Sequence, residues 1–155
     1  MAVSIQRYLS MTCTQGGADT FVQASVNTEI VPADGYAFKV TGIDFAITSP
    51  LNGIAADCRL QWSLSRDTKT AICPYNDSDS ILYDQFNVSF TTSGIIYIPG
   101  SSRYRNLDGI YLVEPTIYAQ LASASTGLTN VADWRIYYEE VKLSEVEILR
   151  ILNNA

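Results

Sequence analysis

Apolar and polar residues alternate with a period of two along most of this chain, the spacing of a β-strand with one dry face and one wet one. The clearest instance is Cys58-Leu60-Trp62-Leu64, with Arg59, Gln61, Ser63 and Ser65 between them. From Thr20 to Val31, Val22, Ala24, Val26, Thr28 and Ile30 share one face, and Gln23, Ser25, Asn27 and Glu29 the other. Pro32-Ala33-Asp34-Gly35 then has turn chemistry, with proline fixing φ and glycine free to take positive φ. In Tyr36–Thr48, Phe38 and Val40 keep one phase while Ile43, Phe45 and Ile47 keep the other. A phase change at Thr41-Gly42 predicts a β-bulge, because one extra residue exchanges the faces.

Further strands are predicted over Ile81–Thr92, Ile95–Ile98, Ile110–Val113 and Trp134–Leu143, with a weaker one in Val3–Thr14. Pro115 is expected to demote its neighbourhood to an edge or a bulge. Leu121–Asn130, rich in Ser, Thr, Ala and Gly, reads as a loop. The chain changes character only at its end. There Ser144-Glu145-Val146-Glu147 fits a capping box, and Ile148-Leu149-Arg150-Ile151-Leu152 follows as about two turns of helix. The expectation is an all-β fold, a single antiparallel β-sandwich of jelly-roll type or a small barrel, of about eight strands with a short C-terminal helix. Residues 1–19 form an N-terminal strand or arm, 20–143 the sandwich, and 144–155 the helix and tail.

A chain of 155 residues suits one domain with one core. Only 17% of the residues are charged, against about 25% in typical soluble domains, while 47% are hydrophobic. Its surface must therefore be covered by Ser, Thr, Asn, Gln and Tyr, a surface from which little charge has to be stripped on association. Ten tyrosines agree with this, since Tyr suits interfaces as well as strands. The net charge of −6 opposes general attraction to phosphate backbones. No stretch approaches the roughly 20 apolar residues that span a bilayer. Met1–Ala18 has no continuous apolar run and does not read as a signal peptide.

With no histidine in the chain, Ser-His, Cys-His and His-ligated zinc devices are excluded. No glycine-rich phosphate loop and no G-x-S-x-G elbow is present, so no enzymatic role is expected. The three cysteines have no paired spacing; Cys58 falls on an apolar face, and Cys73, before Pro74, is expected in an exposed loop. Asp77 and Asp79, in Asn76-Asp77-Ser78-Asp79-Ser80, are the best oxygen ligands for calcium, though without the glycine and distal glutamate of an EF-hand loop. No other cofactor is indicated. Arg103-Tyr104-Arg105 offers charge beside a stacking face. Trp134, opening a strand after a loop, is expected half exposed. The candidate interface residues are Tyr104, Trp134, Val146, Leu149 and Leu152.

In its strand rhythm, Thr20–Val31, Tyr36–Thr48, Cys58–Ser65, Ile81–Thr92, Ile95–Ile98, Ile110–Val113 and Trp134–Leu143, the chain resembles the single jelly-roll coat proteins of icosahedral viruses. That resemblance covers most of the chain and rests on architecture rather than on a specific motif. It implies a self-assembling structural subunit of a capsid or virion shell, assembled in the host cytoplasm and located in the virion. Its partners would be copies of itself and other virion proteins. The chain departs from the coat proteins that carry a basic N-terminal arm, having only Arg7 in residues 1–18, so strong nucleic-acid binding is not expected. The alternatives are a carbohydrate-binding β-sandwich module, with Trp134 as the stacking platform, and a phage tail or fibre component.

Overall fold

In a computed structural model the described residues are 7–48, 57–91, 94–99 and 109–153. The expected loop at 49–53, the turn at 100–102 and the Arg103-Tyr104-Arg105 triplet lie outside them. Nine strands and one helix are described: β1 (Arg7–Thr14), β2 (Val22–Asn27), β3 (Tyr36–Thr48), β4 (Cys58–Ser65), β5 (Ser80–Thr91), β6 (Gly94–Pro99), β7 (Tyr111–Leu112), β8 (Thr116–Ala124), β9 (Val131–Lys142) and α1 (Glu145–Asn153). Two antiparallel sheets result, with strand orders β1-β9-β3-β7 and β2-β8-β4-β5-β6.

The pairings are nested. β1 pairs with β9, β2 with β8, β3 with β7 and β4 with β5. The chain thus behaves as one long antiparallel ribbon, doubled on itself and rolled until β9 meets β3 and β8 meets β4. Two four-stranded sheets built this way form a jelly roll, here with β6 as an added edge strand on the second.

The bulge expected at Thr41-Gly42 is present, the register with β9 jumping between Val40 and Gly42. Before it Phe38 and Val40 point inward; after it Ile43, Phe45 and Ile47 do. An aromatic cluster bridges the sheets: Phe45 stacks on Trp62 at 4.5 Å, and Trp134 and Phe86 lie tilted against that pair at 4.4 and 4.9 Å. Together with Leu60, Leu64, Ile117, Leu121 and Ile136 these side chains fill the space between the layers.

Five expectations are corrected. Leu121–Asn130 is not all loop: β8 runs from Thr116 to Ala124, between β2 and β4, with Ile117, Ala119 and Leu121 facing the core. Ile110–Val113 shrinks to the two residues of β7, which is an edge strand as Pro115 suggested, and Pro115 stands between it and β8. The long strand expected to Val31 ends at Asn27, because Glu29 takes a positive φ of 62° and Thr28 turns away to bond Glu114 O and Pro115 O. Ser63 and Ser65 are buried rather than wet. The β4–β5 connection folds over the outer side of the second sheet, where Ser63 Oγ donates to Gln120 Oε1 (2.7 Å) and accepts from Cys73 N (3.0 Å). Gln120 Nε2 donates in turn to Ser65 Oγ (2.7 Å) and Gln23 Oε1 (3.0 Å). Buried polar groups on a covered face require such a closed network. The same cover buries Cys73, which sequence alone placed in an exposed loop.

Candidate assembly surface

At one end of the sandwich α1 follows β9, and its entry at Leu143 lies against the β2–β3 connection. Its start is the capping box foreseen from Ser144 and Glu147: Ser144 N and Oγ both donate to Glu147 Oε2 (2.8 and 2.7 Å), and Glu147 N reaches back to Ser144 Oγ at 3.4 Å. These bonds from Ser144, side chain first, hold the Glu147 carboxyl below its ordinary pKa. Leu143 N donates to Gly35 O (2.8 Å), tying the helix entry to the turn at Pro32–Gly35. Gly35 is needed there: its φ is +75°, and a Cβ would stand 3.2 Å from Leu143 O.

Ile148 is the buried anchor of α1. Val146 and Leu149 project from another side of the helix and are 73% and 50% exposed, and Leu152, one turn beyond Ile148, is 41% exposed. Val31 and Tyr36, at 52% and 42%, belong to the same end, since Tyr36 is paired with Lys142 at the close of β9 and Val31 precedes the turn that Leu143 grips. Among the described large apolar residues that are exposed, only Tyr8 and Tyr75 lie elsewhere. Concentration at one end is what matters, because apolar residues exposed singly are ordinary whereas a clustered, polar-rimmed set marks an interaction surface. Glu145, Glu147 and Arg150 are exposed on the same helix, and the Lys142 ammonium lies over the Tyr36 ring, 5.9 Å from its centroid.

Of the interface residues expected from sequence, the structure brings together Val146, Leu149 and Leu152. Tyr104 lies outside the described residues. Trp134 is corrected: it is 1% exposed, paired with Met11 and Phe45 on the inner face of β9, and offers no surface for stacking. The error came from taking Trp134 as the start of its strand. β9 begins three residues earlier, at Val131, which carries Trp134 into the middle of the sheet. Val31 and Tyr36 were missed because strand alternation assigns them to a sheet face; a residue on each side of a Pro-x-x-Gly turn is the signal that places them at an end instead.

Asp77 and Asp79 do converge, and a cation sits between them. It is the Lys69 ammonium, 3.1 Å from both Asp77 oxygens and 2.6 Å from Asp79 Oδ2. Bonding to Asp79 and Asp77 raises the Lys69 pKa, while the backbone N–H of Asp79 and then Lys69 lower that of Asp77. Among the described residues no group of three or more His, Cys, Asp or Glu side chains is disposed to hold a metal ion. No helix among them is long and apolar enough to cross a membrane.

At the opposite end, Asp19 of the β1–β2 connection accepts from Thr126 N (2.8 Å), Thr126 Oγ1 (2.7 Å) and Gly127 N (3.0 Å) of the β8–β9 connection. Beneath it, buried Gln15 takes hydrogen bonds from Asn130 N (2.9 Å) and Nδ2 (2.7 Å) and donates to Thr20 O. This end is closed by its own polar groups, in contrast to the apolar end at α1.

Fold and surface together define a jelly-roll β-sandwich with one apolar end. Compared by sequence, no protein-family model and no curated protein matches the chain.

Proposed function

We propose that this chain is a self-assembling structural subunit, of the kind that builds a viral capsid or virion shell, acting through contacts with copies of itself and with other shell proteins. The observation that carries the reading is the apolar set Val31, Tyr36, Val146, Leu149 and Leu152 gathered at the α1 end of a charge-poor jelly roll. Each such side chain fully buried on association contributes roughly 1.5–3 kcal/mol before the entropic cost of docking is subtracted. α1 is suited to the role because its single buried anchor and its capping box fix it while leaving a second apolar stripe free. Jelly rolls also serve as lectins and cupins, so topology alone does not select the shell reading; the apolar end is what supports it. A carbohydrate-binding role loses its proposed platform with Trp134 inside the core. A tail or fibre component differs from a shell subunit only in symmetry.

The test is a Val146→Asp/Leu149→Asp variant of the full chain. Both positions are exposed, so folding should be retained while assembly, followed by light scattering and electron microscopy, is lost. Particles or oligomers of unchanged size and yield would overturn the reading.

A further inference from the structure

A second surface follows from the edges of the sheets, and it rests on the assembly reading above. A strand at a sheet edge presents unpaired N–H and C=O groups to any strand able to meet them, and natural proteins block such edges with proline, lysine, a bulge, shortness or a covering segment. Among the described residues, three of the four edge strands carry one of these features. β7 is two residues long and β6 ends in Pro99. β2 is flanked by the β4–β5 connection, through Gln23 Nε2 to Thr68 Oγ1 (2.8 Å) and Lys69 N to Gln23 Oε1 (2.8 Å).

Among the described residues β1 has none of these. Its eight residues, Arg-Tyr-Leu-Ser-Met-Thr-Cys-Thr, hold no proline and no lysine, and its register with β9 runs unbroken from Arg7↔Tyr138 to Thr14↔Val131. Among the described residues its backbone bonds go to β9, while the Cys13 thiol is directed into the core, where it bonds Ala119 O and meets the backbone of Ala24.

The strand is also suited to its own copy. Leu9, Met11 and Cys13 face inward, and Tyr8, Ser10, Thr12 and Thr14 outward. Residues opposite each other in an antiparallel pair share a face, so β1 meets a second β1 with faces matched when Ser10 or Met11 lies on the two-fold axis. With Ser10 there, Leu9 meets Met11 and Tyr8 meets Thr12; with Met11 there, Leu9 meets Cys13 and Ser10 meets Thr12. No like charges are opposed in either register, because the only charged residue is Arg7, already held by Glu140 at 2.8 Å. We infer that β1 is a homotypic docking edge: two copies pair β1 to β1 antiparallel about a two-fold axis, joining their four-stranded sheets into one continuous sheet. Main-chain hydrogen bonds give such a contact its strength and the alternating faces its register.

A Ser10→Lys/Thr12→Lys variant tests it, because in either register the two substitutions oppose like charges across the axis, Lys against Lys. Sedimentation velocity across a concentration series should show the two-fold contact weakened about tenfold or more. Independently, mixed Ser10→Cys and Thr12→Cys chains should form a disulfide-linked dimer on mild oxidation, since directly opposed Cβ atoms lie about 4.5–5.5 Å apart. Ser25→Cys on β2 should not link. If the unaltered protein assembles but the folded lysine variant does so equally well, or the cysteine chains fail to link, the edge inference falls and the α1 reading stands. If the unaltered protein never associates, both fall.

Discussion

Asp19 sits in a positive-φ turn at 55° and clamps two connections through one carboxylate. Desolvation pushes its pKa up, but the hydrogen bonds from Thr126, Gly127 and Ser123 outweigh this and hold it below the ordinary value. Asp77 and Glu147 are lowered as well. A carboxyl whose folded pKa is depressed adds stability that is present above its unfolded pKa, about 4, and lost as pH falls through the lower folded value. Stability should therefore hold level above about pH 5 and fall as these groups protonate. In urea titrations across pH, Asp19→Asn should flatten part of that fall and leave the neutral-pH slope with denaturant unchanged; an identical pH profile in the variant would contradict the role of Asp19. The thiols shift the other way. Burial pushes Cys13 up to about 11 and raises Cys58 and Cys73 too, so all three should react with a thiol reagent only as the protein unfolds. Sequence located these cysteines but could not show that a connection would fold over Cys73, since the cover comes from contacts with the distant Gln120 and Gln23. Trp134 carries the same lesson, and Trp134→Ala should cost about 3–5 kcal/mol by chemical denaturation as a core cavity, with no specific loss of surface binding.

Two elements show what period-two reading can and cannot find. The bulge in β3 was legible because bulky apolar residues flank it on both sides and change phase across Thr41. Deleting Thr41 should bring Phe38, Val40, Ile43, Phe45 and Ile47 into one phase against β9 without the bulge, so the variant should still unfold cooperatively by circular dichroism; loss of the cooperative transition would mean that the bend itself is required. β8 was hidden because its inward positions alternate Ile117 and Leu121 with the small Ala119, and Gln120, Ala122, Ser123 and Ala124 have the composition of a loop. It is a central strand all the same, since Ala119 leaves room for the inward Cys13 thiol, which bonds its carbonyl, and Gln120 satisfies the covered outer face. α1 was fully announced by its capping box. Ser144→Ala should cost about 1 kcal/mol of stability, and a loss well below that in thermal unfolding would mean that Ile148 alone seats the helix.

For the whole molecule, the alternation identified an all-β sandwich but not the strand order, because β1 with β9 joins residues 117–131 positions apart and β2 with β8 residues 89–99 apart, and no local pattern encodes such pairings. The end surface was half legible: the apolar stripe of α1 was visible, while Val31 and Tyr36 joined it only once Leu143 met Gly35 and Tyr36 met Lys142. The two ends now differ in kind. One is sealed by Gln15, Asp19, Thr126 and Asn130, the other leaves Val146, Leu149 and Leu152 uncovered, and the side between them carries the unguarded edge of β1. On the proposed reading, an apolar end and an open edge would let a subunit meet others in two directions, as a closed shell or an extended array requires. Light scattering coupled to size exclusion, on the purified full chain over a wide concentration range, tests this most directly. The account expects discrete species larger than one chain that grow with concentration, whereas a single monomeric species at the highest concentration reached would contradict it.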